Sequence, residues 1–279
     1  MVHSPLYEIL AMNAETIDAA RSRVLPFEGG CNFRDIGGYP AMDGRTVRWG
    51  QVYRTGVLSY FTPDDETTLL NLGVRAICDL RRLDEREREP TRWPDETVQS
   101  LCWADSATMP TIRGFAASRP RTGAGMYDSM IELYRALPAW MGPRLRGLFE
   151  CIAAGNAPLV VHCAAGKDRT GIAIAVLLTA LGVDRDTILE DYLLTNDAGN
   201  FEKFIATRKD THLGLADAHH PLLSMPEEMR RMLFAANADY LQAAFERIDS
   251  EHGGFARYLS TSVQIDARTL DQVRKYLLT

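Results

Sequence analysis

The sequence predicts an α/β fold, with a central, mostly parallel sheet flanked by helices and extra helices at the C-terminal end. Three observations carry this. Short apolar runs bounded by turn residues, VRAICDL (74–80), VQSLCWA (98–104) and APLVVHC (157–163), read as strands. Helical stretches alternate with them, which is how parallel sheets are wound. From Asp184 onward helix signals continue, with caps at Asp184, Ser224 and Asp266, and no strand signal appears among them.

Residues 1–25 read as an amphipathic helix, without the basic start, apolar run and small-residue cleavage site of a secretory signal. Next, EGGCNFRDIGGYPAMDGRTVRWGQVYRTGVL (28–58) separates short β-prone pieces by glycine turns and ends in a strand around Gln51 to Tyr53. Thr62 then caps a helix with Pro63 at its first position, acids in its first turn and Gly73 as its stop. After the strand at 74–80, the run DEREREPTR (84–92) reads as a solvated helix face or loop. Beyond the strand at 98–104, the Gly-, Ser- and Pro-containing segment from Asp105 to about Gly125 is long enough to suggest a functional flap. Two helices follow, at roughly 126–137 and 143–154, and the strand at 157–163 leads through a loop into a helix from Thr170 to Leu181. The expected organisation is a single domain over 1–279. It comprises an N-terminal helix (1–25), an α/β core (26–183) with an insertion at about 105–142, and a helical C-terminal part (184–279).

With 279 residues, 46% of them hydrophobic, the chain can bury a sizeable core. A net charge of -6, and no stretch that gathers Lys and Arg with aromatics, argue against a nucleic-acid partner. Cys31, Cys78, Cys102, Cys151 and Cys163 are odd in number and lack C-x-x-C spacing, which suits a reducing compartment better than a disulfide framework or a zinc site. The longest apolar run, IAIAVLLTAL (172–181), is too short to span a bilayer. A soluble cytoplasmic protein without a transmembrane segment is expected, of an oligomeric state that these patterns do not reveal.

Chemistry concentrates in VHCAAGKDRTGIAIAV (161–176), where a strand ends at His162-Cys163, a loop follows, and Arg169-Thr170-Gly171 open a helix. Such a loop points successive backbone N–H groups into one concavity, where the helix dipole favours an anion. Arg169 supplies a planar fork that holds two phosphate oxygens at once, as Lys cannot. Cys163, at the base of the same positive cup, is expected to be a thiolate and a nucleophile toward phosphorus. The hydroxyl of Thr170 is placed to hydrogen-bond the cysteine sulfur as a leaving group. His162 reads as an orienting residue.

The block HCAAGKDRTG (162–171), with NFRDIGGY (32–39), YRTG (53–56) and DLR (79–81) ahead of it, resembles the atypical bacterial tyrosine phosphatases with a GKDR P-loop. The resemblance runs from about Asn32 to the C-terminal helices. It implies a dual-specificity-phosphatase-like fold, hydrolysis of phosphotyrosine through a phosphocysteine intermediate, and no metal or cofactor. Phosphoserine, phosphothreonine and phosphoinositides are further substrates that it implies for some members. Carried onto this chain, it makes Cys163 the nucleophile, Arg169 the phosphate clamp and Asp168 the candidate acid. The cradle is then Ala164, Ala165, Gly166, Lys167, Asp168 and Arg169, and Lys167 adds positive charge suited to a polyanionic head group. The substrate expected first is a phosphorylated protein, with a phosphoinositide or other polyol phosphate as the alternative. A phosphoresidue-binding module without turnover is a further reading, opposed by the intact cysteine, arginine and threonine.

In open α/β sheets the chemistry lies beyond the carboxyl ends of the strands. Cys163, Asp79, Arg81 and Asp105 all fall at such ends. Trp93-Pro94-Asp95 spells the tripeptide of the mobile acid loop in conventional tyrosine phosphatases, yet it precedes its strand and so sits at the amino edge. A strand of about seven residues spans roughly 20 Å, beyond any side chain's reach. The expected order of candidate acids is therefore Asp168, Asp105, Asp79 and, last, Asp95. Asp79 and Arg81 read equally as a buttressing ion pair. Asn32, Arg34, Asp35, Tyr53 and Arg54 read as turn and salt-bridge scaffolding.

Overall fold

A computed structural model describes residues 22–104, 109–210 and 225–279. Alternation along the strands sorts the core into two layers. In β2 (Val52–Thr55), β3 (Ala76–Asp79) and β5 (Leu159–His162), the side chains of Val52, Ala76, Cys78, Leu159 and Val161 join one buried cluster. Tyr53, Ile77 and Val160 join another on the opposite face, with Phe27, Phe33, Leu58 and Leu69. With β1 (Arg34–Asp35) and β4 (Gln99–Leu101), the strands form a five-stranded sheet in the order β1-β2-β5-β3-β4. Only the β1–β2 pair is antiparallel. This is the mostly parallel α/β sheet that the sequence predicts. Its register sets Thr55 and Asp79 level with His162, so the carboxyl ends of β2, β5 and β3 lie side by side.

On the smaller layer lies α1 (Pro63–Asn71). It is capped as expected: the Asp65 carboxylate accepts from the Thr62 amide at 3.0 Å and from the amides of Glu28 and Gly29 at 2.8 Å each. Next come α2 (Leu83–Arg88), α3 (Ile112–Ala116) and α4 (Gly123–Ala153). After β5, the chain enters α5 (Asp168–Leu181), α6 (Arg185–Leu193), α7 (Thr195–Ala198) and α8 (Phe201–Asp210). The C-terminal helices are α9 (Glu227–Phe234), α10 (Ala238–His252), α11 (Phe255–Tyr258), a π-helical turn (Leu259–Val263) and α12 (Ala267–Leu277). α5 is buried on nearly every side, and α4 is the spine against which α3, α5, α9, α10 and α12 pack. Asp184 and Asp266 cap α6 and α12 through Thr187 and Thr269. The cap expected at Ser224 and most of the N-terminal helix fall outside the described residues.

Three elements differ from the sequence reading. The two helices expected around Pro138 and Pro143 are one, α4. Proline removes a donor and strains the preceding turn, but tertiary contacts hold this segment helical. The Tyr258 hydroxyl donates to the Pro138 carbonyl at 2.8 Å. Gly142 lies so close to the π-helical turn that a Cβ there would sit 2.7 Å from the Ser262 carbonyl oxygen. The flap expected from Asp105 to Gly125 contains α3, capped by Thr111 and packed on the core through Phe115. The strand expected at 98–104 shortens to β4, because the chain leaves this sheet edge to pack the Trp103 indole against Gly147 of α4.

Candidate active site

Cys163 follows β5 directly, and the loop from Cys163 to Lys167 runs into the first residue of α5, Asp168. Gly166 is the loop's steric key. Its φ is +68°, and a Cβ there would lie 2.5 Å from the Thr55 carbonyl carbon, so no other residue fits. The loop's carbonyls are anchored from behind: Ala164 accepts from the Val57 amide at 3.0 Å, and Gly166 accepts from Asn32 Nδ2 at 2.8 Å and Arg54 Nη2 at 2.9 Å. In a trans peptide the following N–H points the opposite way. The amides of Ala165 and Lys167 are therefore turned away from these anchors, next to the α5 N-terminus.

The anchors are themselves fixed by one buried carboxylate. Asp191 on α6 takes Arg34 Nε at 3.3 Å and Arg54 Nη1 at 2.6 Å, with the Tyr39 hydroxyl at 3.1 Å. Burial raises the Asp191 carboxyl, but the two guanidiniums outweigh it and hold it below the usual carboxylate range. Asp35 bridges the amides of Gly37 and Gly50, at 2.7 Å each. The motifs NFRDIGGY and YRTG thus form a frame behind the phosphate loop.

A second buried frame stands at the end of β3. Arg81 meets Asp79 through Nε at 2.9 Å and Nη2 at 2.7 Å, and donates to the Glu89 carbonyl and Thr91 hydroxyl at 2.7 Å each. His162 Nε2 lies 3.4 Å from the same Asp79 carboxylate. Burial pushes that carboxyl up, yet His162 and Arg81 pull it far below the ordinary range. These contacts occupy both Asp79 oxygens with buried partners.

Arg169 is almost wholly buried, and both of its terminal nitrogens are taken by Glu85 of α2, Nη1 at 2.7 Å and Nη2 at 2.8 Å. Burial raises the Glu85 carboxyl, but Arg169 and the Arg82 amide bring it down to about 2. Asp168 is held on one oxygen: Oδ1 accepts from Lys167 Nζ at 2.6 Å and from the Tyr134 hydroxyl at 2.8 Å. Tyr134 also meets the Tyr192 hydroxyl at 2.6 Å. Burial, with the Asp168 charge beside it, keeps the Tyr134 phenol well above its ordinary range, so it remains a donor. Asp168 Oδ2 has no partner among the described residues, and the side chain is 24% exposed.

A cysteine at the end of a central strand, followed by a tightly anchored glycine loop and a buried arginine at the start of a helix, is what the site presents, and the tyrosine phosphatase family model matches residues 25–279. The chain belongs to that family. Over 92% of this phosphatase and 99% of its relative, it is 31% identical to the triple specificity protein phosphatase PtpB of Mycobacterium tuberculosis. A Cupriavidus necator protein, provisionally named a tyrosine-protein phosphatase, is 33% identical over 88% of this chain and 86% of its own. The crystal structure of Pseudomonas aeruginosa TpbA matches at a TM-score of 0.30 and 15% identity, covering 62% of this chain and 91% of that one.

Within this phosphatase, two expectations need correction. Lys167 is not free to meet a head group: its side chain is 1% exposed, its ammonium pairs with Asp168, and the rings of Tyr134 and Tyr240 lie 5.9 and 5.7 Å away. The Thr170 hydroxyl is buried without a hydrogen-bond partner among the described residues, so the expected bond to the Cys163 sulfur is not made. Asp105 lies outside the described residues. Asp95 accepts from the Thr97 amide and hydroxyl in an exposed turn ahead of β4, on the amino side of the sheet. Sequence reasoning missed Glu85, Asp191 and Tyr134. A run of alternating charges gives no sign that one member turns inward, and an acid or tyrosine on an amphipathic helix looks like any other.

Proposed function

We propose that this phosphatase hydrolyses phosphotyrosine monoesters in two displacements. In the first, the Cys163 thiolate attacks phosphorus, an S–P bond forms as the P–O bond breaks, and the departing phenol oxygen takes a proton from Asp168. In the second, water attacks the phosphocysteine and gives a proton to Asp168, and the S–P bond breaks to release phosphate and the thiolate. Arg169 and the inward amides of the Ala164–Arg169 loop stabilise the charge on the transferring group. With Asp168 Oδ1 occupied by two donors, Oδ2 is the oxygen left to pass a proton to and from the reacting groups. The observation that supports this reading most is the anchoring of the Ala164 and Gly166 carbonyls, which turns the amides that follow them away from the frame.

The frame is read as one catalytic domain working in the reducing cytoplasm, which suits cysteines that form no disulfide among the described residues. Among the described residues no helix is long and apolar enough to cross a membrane. Wider specificity is a second reading favoured by the name of the mycobacterial relative, a triple specificity protein phosphatase; phosphoserine, phosphothreonine and phosphoinositides are the substrates that the P-loop resemblance implies for it. The enclosure of Lys167 speaks against a polyanionic head group and ranks phosphotyrosine first. The test is hydrolysis of an aryl phosphate by wild type and Cys163→Ser, followed by a panel of phosphopeptides and phosphoinositides. Equal rates in both proteins would end the mechanism. Preference for a phosphoinositide over every phosphopeptide would end the substrate ranking.

A further inference from the structure

The guanidinium of Arg169 carries five N–H donors arranged along edges, each of which fits two oxygens. Glu85 occupies the end formed by Nη1 and Nη2. The other edge, Nε with its neighbouring Nη, donates to no protein acceptor among the described residues. A carboxylate on one edge thus leaves the second edge for phosphoryl oxygens, and fixes the plane in which it is offered.

Glu85 is itself rigidly held. It lies in the first turn of α2, where its Oε2 also accepts from the Arg82 amide at 3.0 Å. α2 is tied down in turn: Arg86 donates to the Arg81 carbonyl at 2.8 Å and to the Trp103 carbonyl at 3.0 Å. The path from the sheet to the clamp is therefore continuous, running from the Asp79–Arg81 buttress through α2 to Glu85 and then Arg169. Side-chain exposures of 13% for Glu85 and 9% for Arg169 leave little room for either group to swing away. A surface pair at this distance would count for little; a largely buried bidentate one sets geometry.

We propose that Glu85 is the positioning residue of Arg169, holding the guanidinium end-on so that its Nε edge faces the transferring phosphoryl group. This rests on the reading of Arg169 as the phosphate clamp. Glu85 touches no reacting atom, and its effect passes through the orientation of the arginine. Misplacing a group that stabilises the transition state by about 1 Å costs on the order of 100-fold in rate.

The test is a double-mutant cycle on the full chain with an aryl phosphate substrate, reading kcat and KM separately. Glu85→Gln, nearly isosteric, should lower kcat by roughly 10- to 100-fold with a smaller change in KM. In an Arg169→Lys background, where no fork remains to be oriented, the same change should cost less than about 3-fold. Asp84→Asn, an exposed acid on the same turn, should stay within about 2-fold of wild type. Glu85→Asp keeps the charge but shortens its reach, and should also lose kcat; it provides the reading if Glu85→Gln folds poorly. Wild-type kcat in Glu85→Gln, or losses that simply add to those of Arg169→Lys, would overturn the proposal. So would faster turnover with tighter inhibition by inorganic phosphate, since Glu85 would then be a competitor for Arg169. If Arg169→Lys itself retains wild-type kcat, the clamp reading falls first.

Discussion

Replacing Asp191 with Asn removes the charge that two buried guanidiniums share. Arg34 and Arg54 are both fully buried, and Asp191 faces them at 3.3 and 2.6 Å. Breaking a buried pair from one side costs about 3–5 kcal/mol, because the remaining charge stays in a low dielectric without its partner. Here two remain, so the upper part of that range is expected. Total stabilities of folded domains lie near 5–15 kcal/mol, and for chains somewhat shorter than this one each kcal/mol moves the melting midpoint by about 2–4 °C. Thermal unfolding followed by circular dichroism should therefore show a fall of roughly 10 °C or more. A drop in kcat should accompany it below the melt, since Arg54 is one of the two groups that aim the Gly166 peptide. Adding Arg34→Met should return part of the stability by removing the surplus charge. A midpoint within about 2 °C of wild type would refute the argument that this carboxylate balances the frame.

Other expectations follow from the same contacts. Glu85, Asp79 and Asp191 all have folded-state carboxyls below their ordinary values, so each adds stability that is complete above the unfolded carboxylate range and is lost as pH falls through the folded one. For Glu85 the window runs from 4.5 down to about 2, and the urea midpoint should fall across it; a flat profile there would contradict the pairing. Gly166→Ala forces a Cβ against the β2 end and should cut kcat by at least about 100-fold with an aryl phosphate, so near-normal turnover would sink the steric argument. Asp95→Asn should leave the pH dependence of turnover unchanged. Asp168→Asn should slow esters of poor leaving groups far more than those of good ones, and the reverse pattern would move the acid elsewhere.

The sheet and its site edge were legible because both follow from local patterns. Apolar runs between glycine and polar breaks marked β3 and β5, and parallel winding put Cys163 and Asp79 on one edge and Asp95 on the other. HCAAGKDRTG carried its own geometry, since a strand, a glycine turn and a helix start in succession make an anion cup. What stayed hidden depends on contacts distant in sequence. Pro138 and Pro143 are local helix breakers overruled by Tyr258 and the π-helical turn. Glu85 sits among acids and bases that look alike until α2 turns it toward Arg169, 84 positions away. Lys167 has the expected charge, but only the fold shows that two tyrosines and Asp168 enclose it.

On the proposed mechanism, Cys163 carries the phosphoryl group during turnover. Rapid acid quenching of the wild-type enzyme at work on an aryl phosphate, followed by mass analysis of its peptides, tests this directly. One phosphoryl group on the peptide containing Cys163, absent from Cys163→Ser, is the predicted result. A phosphoryl group on another residue, or undiminished turnover by Cys163→Ser, would contradict it.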